Sequence, residues 1–301
     1  MSDVIVFGGI NMDLFAYVPR STKEGETIEA SSIEFFLGGK GANQAVALAR
    51  LGVDVSFVGT IGEDEFGSQL ERLISKEKIN IKNLKKIKGQ SGIALINVLN
   101  DGRNEVISFP GVNKNSLSNQ VSEDDLKACS ILISQMELKE PETYNLFSRA
   151  KQNGCTTILN LAPFRKPSKS LIQKTDILVV NETEFAGLSK KATCKINLEF
   201  VDENFSQLKL PKSLSLIVTL GDEGVVVFSG GERNYFEARS VKAIDTVGAG
   251  DCFVGALGYA LLQSPDIFFA THFANCAASI SVTKKGAADS MPQLNEVVNK
   301  L

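Results

Sequence analysis

Short runs of β-branched and apolar residues recur along this chain, and helical patterns lie between many of them. The first run, Asp3 to Gly9 (DVIVFGG), ends in a glycine pair, as a buried strand often does. Similar runs are VDVSFVGTIG, SILISQME, TTILNLAP, DILVVNETE, SLIVTLG and GVVVFSG. Parallel strands need helical crossovers that cover the sheet, so the alternation predicts an α/β fold with helices on both faces of a mostly parallel sheet.

The segments between the runs have helical spacing. GANQAVALARLG places Ala42, Ala45, Val46 and Ala49 at i, i+3, i+4 and i+7, and Gly52 can end this helix. Ligands of open α/β sheets bind outside the carboxyl ends of the strands, so polar residues at these ends are the first site candidates. They are Asn11, Asp13, Glu137, Asn160, Asn181, Glu184, Thr219 and Asp222.

Two stretches interrupt this rhythm. Leu14 to Phe36 is extended in character, and Gly92 to Phe109 reads as two strands joined at Asn100 to Arg103, a hairpin signal. Together they predict a small antiparallel accessory sheet fed from two separated segments, about 14–36 and 92–110. We therefore expect one domain over residues 1–301, with this sheet attached to it.

Charge and composition exclude several classes of function. The formal net charge is -3, which provides no electrostatic case for nucleic acid or an anionic membrane. Neither a basic signal-peptide start nor a membrane-length apolar run is present, and the five cysteines are scattered without a C-x-x-C pair, so we expect a cytoplasmic protein with reduced thiols. His272 is the only histidine, so chemistry must rest mainly on carboxylates, lysines and backbone dipoles.

The segment DTVGAGDCFVGA, Asp245 to Ala256, predicts an anion site of its own type. Neither a Walker loop nor a G-x-G-x-x-G fingerprint occurs in the chain. Small residues before a helical apolar pattern place backbone N–H groups at a helix N-terminus, where an anion is favoured. Asp251 in the first turn suits a general base beside a phosphoryl group in transfer. The alternative is that Asp251 only caps the helix and the glycines only make a turn.

The chain resembles the PfkB/ribokinase family of sugar and nucleoside kinases over essentially its whole length. The segments that carry the resemblance occur in the family's order: GGINMD, GGKGANQAVALARLG, NETE, TLGDEG, DTVGAGD and VTKKGA. GGKGANQAVA and the Q-x-E of Gln135 to Glu137 resemble its ribokinase branch most. The resemblance implies a three-layer αβα sandwich with a mostly parallel central sheet and a small β-sheet lid.

The resemblance also implies an activity and roles for particular residues. It implies ATP-dependent phosphorylation of a sugar's primary hydroxyl, with D-ribose as the expected acceptor and Asp251 as the catalytic base. Backbone N–H groups of Gly248, Ala249 and Gly250 would form the anion hole. The sugar site would comprise Asn11, Asp13, Gly39, Lys40, Asn43, Glu137 and Asp251. Carboxylates and amides suit this role because they recognise hydroxyl groups.

The remaining implied residues concern the nucleotide and two metal ions. ATP would contact Thr219, Gly221, Asp222, Gly224, Gly250 and Asn275. Asn181 and Glu184 would act on Mg²⁺ and phosphate through water, although the same pair could be only a helix N-cap. A monovalent cation, K⁺, would be held largely by backbone oxygens of Asp245, Val247, Ser281, Lys284, Gly286 and Ser290.

The lid and the acceptor leave alternatives open. Ala94, Ile96 and Phe109 are expected to form an apolar wall against the sugar, or else to pack only within the lid. In this family the lid often pairs with the lid of a second copy, so the resemblance implies a homodimer. Other acceptors are fructose, a 2-keto-3-deoxy sugar acid or a nucleoside; a sugar acid would want an opposing arginine, which the sequence does not place. A non-catalytic sugar sensor is the alternative from another class.

Overall fold

The computed structural model describes residues 2–100, 103–191 and 196–301. Its strands fall on the apolar runs of the sequence and on the two extended stretches. They are β1 Val4–Phe7, β2 Asn11–Val18, β3 Ser32–Gly38, β4 Val55–Gly62, β5 Leu84–Ile87, β6 Gly92–Leu99, β7 Asn104–Phe109, β8 Ile131–Gln135, β9 Thr156–Asn160, β10 Ile177–Asn181, β11 Ser215–Thr219, β12 Gly224–Ser229 and β13 Glu232–Glu237.

The helices begin where the sequence supplies caps or acids. Asp64, Asn197 and Asp266 each accept a backbone N–H in the first turn of the helix that follows. The helices are α1 Lys40–Arg50, α2 Glu65–Lys76, α3 Glu123–Ala128, α4 Glu140–Gln152, α5 Lys169–Gln173, α6 Glu182–Ser189, α7 Leu198–Phe205, α8 Ala249–Gln263, α9 Ile267–Ser281 and α10 Leu294–Val298. None of those that the structure describes has the length and apolar character to cross a membrane.

The central sheet has nine strands in the order β13-β12-β11-β10-β9-β8-β1-β4-β5. All neighbouring pairs from β11 to β5 are parallel. Only the pairs β11/β12 and β12/β13, at one edge of the sheet, are antiparallel. The predicted α/β fold with a mostly parallel sheet is confirmed. Parallel pairing brings the carboxyl ends of β8, β9, β10 and β11 to one edge, which is where the site is expected.

Alternate residues of each strand pack against different helical layers. In β1, Val4 and Val6 join a core with α1, α8 and α9, while Ile5 and Phe7 join a core with α4 and α6 on the opposite face. Burying both faces explains why these strands are continuous apolar runs. The molecule is thus the three-layer αβα sandwich that the resemblance implied.

A separate four-stranded sheet, the lid, has the order β3-β2-β6-β7. Its two hairpins, β2/β3 and β6/β7, are antiparallel, but the central pair β2/β6 is parallel, starting at Asn11 opposite Gly92. The prediction of a purely antiparallel sheet was therefore wrong. Both hairpins leave the body of the protein at the same end, so their first strands run side by side. The predicted turn residues Asp101 and Gly102 lie outside the described residues.

The inner face of the lid follows from the strand register. Ala94 and Ile96 are buried with Phe15 and form an apolar surface towards the body. Phe109 pairs with Ile93 and therefore lies on the other face, where it is 46% exposed. Its expected place in the wall against the sugar was wrong, because side chains along a strand alternate and cross-strand partners share a face.

Candidate active site

Helices α1 and α8 cross at unusually close range, and this brings their N-terminal turns together. A Cβ at Gly255 would lie 2.5 Å from Ala47 Cβ and 2.9 Å from the Gln44 carbonyl oxygen, so only glycine permits the contact. At the ends of the helices, Asn43 Nδ2 donates to Asp251 Oδ2 at 2.9 Å. The predicted base and a predicted sugar ligand, which are 208 residues apart in sequence, are therefore in contact.

The loop before α8 has the geometry expected of an anion site. Gly248 is the N-cap residue in a left-handed conformation (φ 80°), and a Cβ there would lie 2.9 Å from the Ala287 Cα. Ala249 and Gly250 begin the helix, where the first-turn N–H groups have no intrahelical partner. Asp251 follows them in the same turn and is buried. A carboxylate thus lies beside a positive helix end.

The predicted sugar ligands form one buried polar cluster next to Asp251. Asp13 and Asn43 are 6% and 5% exposed, and the Oδ1 atoms of both are buried without a hydrogen-bond partner among the described residues. Glu137 follows β8 and accepts the backbone N–H of Lys40 at 3.0 Å, while Gly39 is the N-cap residue of α1. Unpartnered buried acceptors cost free energy unless something binds them, and sugar hydroxyls would satisfy them.

Burial and mutual repulsion change the protonation of this cluster. Burial raises the pKa of Asp13 to about 8, with further contributions from the charges of Glu137 and Asp251. Burial likewise raises the pKa of Glu137 to about 7, against the opposing effect of Lys40. The pKa of Lys40 is raised by the neighbouring carboxylates, that of Asp251 first. The cluster therefore holds protons near neutral pH, with one ammonium among several acids.

A cavity of about 220 Å³ joins the acceptor cluster to the nucleotide side. Eight of the residues that line it were predicted from the sequence: Lys40, Asn160, Asn181, Glu184, Thr219, Gly248, Gly250 and Asp251. The other four, Ala162, Val179, Val180 and Thr246, were not predicted. The cavity lies at the carboxyl ends of β9, β10 and β11, where the sheet topology places ligands. It is the space in which a phosphoryl group could pass between the two sides.

Asn181 and Glu184 form a capping box at the start of α6. Asn181 Oδ1 accepts the Glu184 N–H at 2.9 Å, and Glu184 Oε2 accepts the Asn181 N–H at 2.9 Å. The capping role is therefore real, and it uses the amide oxygen of Asn181 and only one of the two carboxyl oxygens of Glu184. Burial raises the pKa of Glu184, and the charge of Lys40 opposes this. The carboxyl group also lines the cavity, so capping and binding are compatible.

The end of β13 connects the predicted nucleotide residues that follow β11 with Asn275 on α9. Gly221 and Asp222 lie in a short 3₁₀ turn after Thr219, and Gly224 starts β12. Asn275 on α9 donates to the Glu237 carbonyl oxygen at 2.8 Å, at the end of the strand that pairs with β12. Asn275 does not line the 220 Å³ cavity. It lies against the end of β13, through its bond to Glu237.

The predicted cation residues bring two loops together. Asp245 accepts the Val247 N–H through Oδ1 and the Gly286 N–H through Oδ2, each at 3.0 Å. The backbone N–H groups of Ile244 and Asp245 both point to the Val282 carbonyl oxygen. Ser281 at the end of α9 and Ser290 in the segment that follows it are buried, and the Lys284 ammonium is bound by Glu296 at 2.7 Å. Asp245 thus connects the anion loop to the segment that follows α9.

Sequence reasoning missed two polar residues that support the site. Gln44 is fully buried and donates to Asp251 Oδ1 at 2.9 Å. Asn113 donates to Asn11 Oδ1 at 2.8 Å and to the Ile10 carbonyl oxygen at 3.0 Å, and so holds the start of the lid. For Gln44 a signal existed, since it is a polar residue on the apolar face of a predicted helix. For Asn113 we find none.

Comparisons with known proteins identify the family to which the chain is similar. The family model described as pfkB family carbohydrate kinase matches residues 1–294. The ribokinase of Haemophilus influenzae is 35% identical over 98% of this chain and 97% of its own length. The deoxyribokinase of Salmonella typhi is 32% identical over 98% of this chain and 97% of its own length. The structure of Arabidopsis thaliana ribokinase complexed with ribose and ATP superposes with a TM-score of 0.87 at 29% identity, covering 99% of this chain and 98% of that one.

Proposed function

This chain belongs to the pfkB family of carbohydrate kinases, and we propose that it transfers the γ-phosphoryl group of ATP to the primary hydroxyl of D-ribose, giving D-ribose 5-phosphate. One observation carries the proposal: Asp251 lies between a polar cluster that suits a sugar and a helix N-terminus that suits a phosphoryl group. The likeness to ribokinases favours ribose as the acceptor.

The reaction follows from the positions of these groups. As the 5-hydroxyl oxygen forms its bond to the γ-phosphorus, Asp251 accepts the hydroxyl proton, and the bond from that phosphorus to the ADP oxygen breaks. N–H groups of Gly248, Ala249 and Gly250 stabilise the charge of the group in transfer. The acceptor side would be held by Asn11, Asp13, Gly39, Lys40, Asn43 and Glu137, and the nucleotide side by Thr219, Gly221, Asp222, Gly224 and Asn275.

Mg²⁺ fits beside Asn181 and Glu184. Among the described residues, no group of three or more His, Cys, Asp or Glu side chains could hold a metal ion. A divalent ion here would keep waters and phosphate oxygens as ligands, which Mg²⁺ tolerates well. When bound, it would offset charge on the phosphates of ATP. The free oxygen of Glu184 would contact its waters.

K⁺ fits the loops that Asp245 connects. The proposed contributors are Asp245, Val247, Ser281, Lys284, Gly286 and Ser290, chiefly through backbone oxygens. The Lys284 ammonium is bound by Glu296 at 2.7 Å and therefore does not compete with a cation there. When bound, K⁺ would offset the charge of Asp245. We expect turnover to be higher in K⁺ or Cs⁺ than in Na⁺ alone; equal rates in all three buffers would reject K⁺ activation.

Assays of ADP release over a panel of acceptors test the function. The panel contains D-ribose, 2-deoxy-D-ribose, fructose, a 2-keto-3-deoxy sugar acid and a nucleoside, and we expect the highest kcat/KM for D-ribose. Asp251→Asn should nearly abolish turnover while calorimetry still detects sugar binding, because only the proton acceptor is lost. Turnover within about tenfold of wild type would reject Asp251 as the base. A wild-type protein that binds sugar without turnover would be a sensor.

A nucleoside is the second candidate acceptor, because a further cavity exists between the lid and the body. This cavity of about 210 Å³ is lined by Phe15, Tyr17 and Val98 of the lid and by Ile244 and Lys285, among others. Phe15 and Tyr17 share the inner face of β2 with Asn11 and Asp13, so the apolar surface continues from the sugar site. The nucleobase of a nucleoside would fit in this cavity. Preference for the nucleoside over ribose in the panel would favour this acceptor.

We also propose that two copies associate through the outer face of the lid. Phe35, Leu95, Ile107 and Phe109 share this face on neighbouring strands, and each is between 45% and 66% exposed. Such a patch on an edge-bearing sheet favours a protein partner. The test is sedimentation of Ile107→Glu against Val106→Glu, an adjacent and equally exposed residue on the inner face. Only the first should dissociate a dimer; a wild-type monomer rejects the proposal.

A cytoplasmic location is proposed on two grounds. The reaction consumes ATP, and the described cysteines Cys129, Cys155, Cys252 and Cys276 are free and buried. Cys194 lies outside the described residues. Fractionation of the native host, with a cytoplasmic marker enzyme measured in the same fractions, tests this.

A further inference from the structure

Three buried amide side chains form a hydrogen-bonded chain that ends at Asp251. Gln135 at the end of β8 and Gln44 on α1 are 1% and 0% exposed, and Asn160 at the end of β9 is 7% exposed. Gln135 Nε2 donates to Gln44 Oε1 at 2.6 Å. Gln44 Nε2 donates to Asp251 Oδ1 at 2.9 Å and to Asn160 Oδ1 at 3.1 Å. Asn160 lines the 220 Å³ cavity, whereas Gln44 and Gln135 do not.

The partners of Gln44 determine which way its amide faces. Its oxygen accepts from Gln135, so its nitrogen must point towards Asp251. Both of its N–H hydrogens are then used, one on Asp251 and one on Asn160. Asn160 is oriented in turn by its own donation to the Val179 carbonyl oxygen at 3.4 Å. A flipped Gln44 would direct an oxygen at a carboxylate and lose three hydrogen bonds.

Asp251 is consequently held at both oxygens by adjacent residues of α1. Asn43 donates to Oδ2 and Gln44 donates to Oδ1, each at 2.9 Å. Hydrogen bonds that involve a charged group are stronger than neutral ones. A base must be aimed at the hydroxyl, and its aim depends here on two amide donors rather than on a histidine.

We infer that Gln44 is a positioning residue for phosphoryl transfer: it aims the Asp251 carboxylate, while Gln135 and Asn160 set the direction of its amide. This inference rests on the proposed function, because it assigns Gln44 to the base of that reaction. The Gln44 side chain bonds to Asp251, but not to the other residues of the acceptor cluster or to the anion loop. Its effect therefore belongs to kcat and leaves sugar affinity unchanged.

The same bonds could serve only to stabilise the core between α1, β8 and β9, and a matched variant separates the two roles. Gln120 is also a buried glutamine (7% exposed), whose Nε2 donates to two oxygens, those of Gly59 and Asn83, and whose Oε1 accepts one N–H. Gln120→Met and Gln44→Met thus remove equivalent sets of hydrogen bonds at similar volume. Only the second set includes the carboxylate of Asp251.

The experiment measures kcat and the KM for sugar for the full-length wild-type, Gln44→Met and Gln120→Met proteins. For Gln44→Met we expect kcat to fall by about 10- to 100-fold, as loss of a hydrogen bond to a charged group predicts. KM should stay within about threefold, since that donor contributes nothing to binding. Gln120→Met should lose stability but keep the wild-type kcat and KM.

Other titratable groups act on the same carboxylate, and all remain in place in these variants. They face it from β2, α1, the end of β8 and α6, and Cys252 adjoins it: Asp13, Lys40, Glu137, Glu184 and Cys252. The difference in kcat between the wild-type protein and the variants therefore isolates the amide. If Gln44→Met does not fold, Gln135→Met carries the test, because it leaves Gln44 present but free to flip, and a smaller fall in kcat is expected.

The outcomes distinguish this inference from the function on which it rests. If the wild-type protein is active and the kcat of Gln44→Met is no lower than that of Gln120→Met, the inference alone would be overturned. Where Gln44→Met does not fold, the same outcome for Gln135→Met would overturn it. A wild-type protein that phosphorylates none of the acceptors would overturn the proposed function and, with it, this inference.

Discussion

Replacing Asp13 by asparagine should make the folded protein less sensitive to alkaline pH while removing its affinity for sugar. The pKa of Asp13 is raised from 3.8 to about 8, so near pH 6 the folded protein holds a proton that the unfolded chain has released. A raised carboxyl pKa contributes stability that is fully present below 3.8 and is lost as pH rises through about 8. Between pH 6 and pH 8 this loss amounts to about 2 kcal/mol in the free energy of unfolding.

Glu137 adds to the same trend, because its pKa is raised to about 7. Its share over this pH interval is about 1 kcal/mol, so the wild-type protein should lose about 3 kcal/mol and Asp13→Asn only about 1 kcal/mol. Lys40 titrates above the interval, since its pKa is raised from 10.5. Burial of Asp13, at 6% exposure, justifies using the shift without a large discount for solvent.

The assay is urea denaturation of the wild-type protein, Asp13→Asn and the control Asp54→Asn at pH 6, 7 and 8. Asp54 is an exposed carboxylate outside the cluster, so its variant should lose stability as the wild type does. Calorimetry with D-ribose should show that Asp13→Asn no longer binds. An equal loss of stability in wild type and Asp13→Asn would refute the reasoning, because Asp13 would then carry no retained proton.

Three further variants probe the helix ends. Gly255→Ala places a Cβ 2.5 Å from that of Ala47, so we expect a loss of about 1–3 kcal/mol by denaturation and a lower kcat; wild-type values would show that α1 and α8 have room to spare. Gly248→Ala should lower kcat, because alanine is strained at φ 80°. An unchanged kcat would show that catalysis does not depend on this backbone conformation. Glu184→Gln keeps the capping acceptor, so melting should be unchanged while the Mg²⁺ concentration for half-maximal rate rises; an unaltered Mg²⁺ requirement would leave Glu184 only its cap.

Much of this architecture was predictable because local pattern and long-range packing agree. The apolar runs could only be strands of a sheet covered on both faces, and α8 begins at Ala249 as the small residues before an apolar helical pattern require. Parallel strands then bring Asn181 and Thr219 to one edge, whatever their separation in sequence. Those predictions needed only periodicity and the direction of the strands.

What could not be predicted depends on register and on contacts between distant elements. The face of Phe109 depends on its pairing with Ile93, and a shift of one residue would have reversed it. The parallel pairing of β2 with β6 depends on where two hairpins leave the body. The hydrogen bond of Gln44 to Asp251 requires that α1 and α8 lie close together, and the glycine at position 255 does not by itself predict this.

The parallel pairing of β2 and β6 also sets the order in which the chain can be completed during synthesis. The pairing of Asn11 with Gly92 cannot form until roughly eighty more residues have been synthesised. Contacts so far apart in sequence form slowly because a long loop has to close first. Until β6 emerges from the ribosome, the β2/β3 hairpin shows an unpaired strand edge together with Ile33 and Phe35. Over these roughly ninety residues the nascent chain therefore exposes an unpaired strand edge with apolar side chains, a combination that is prone to aggregation.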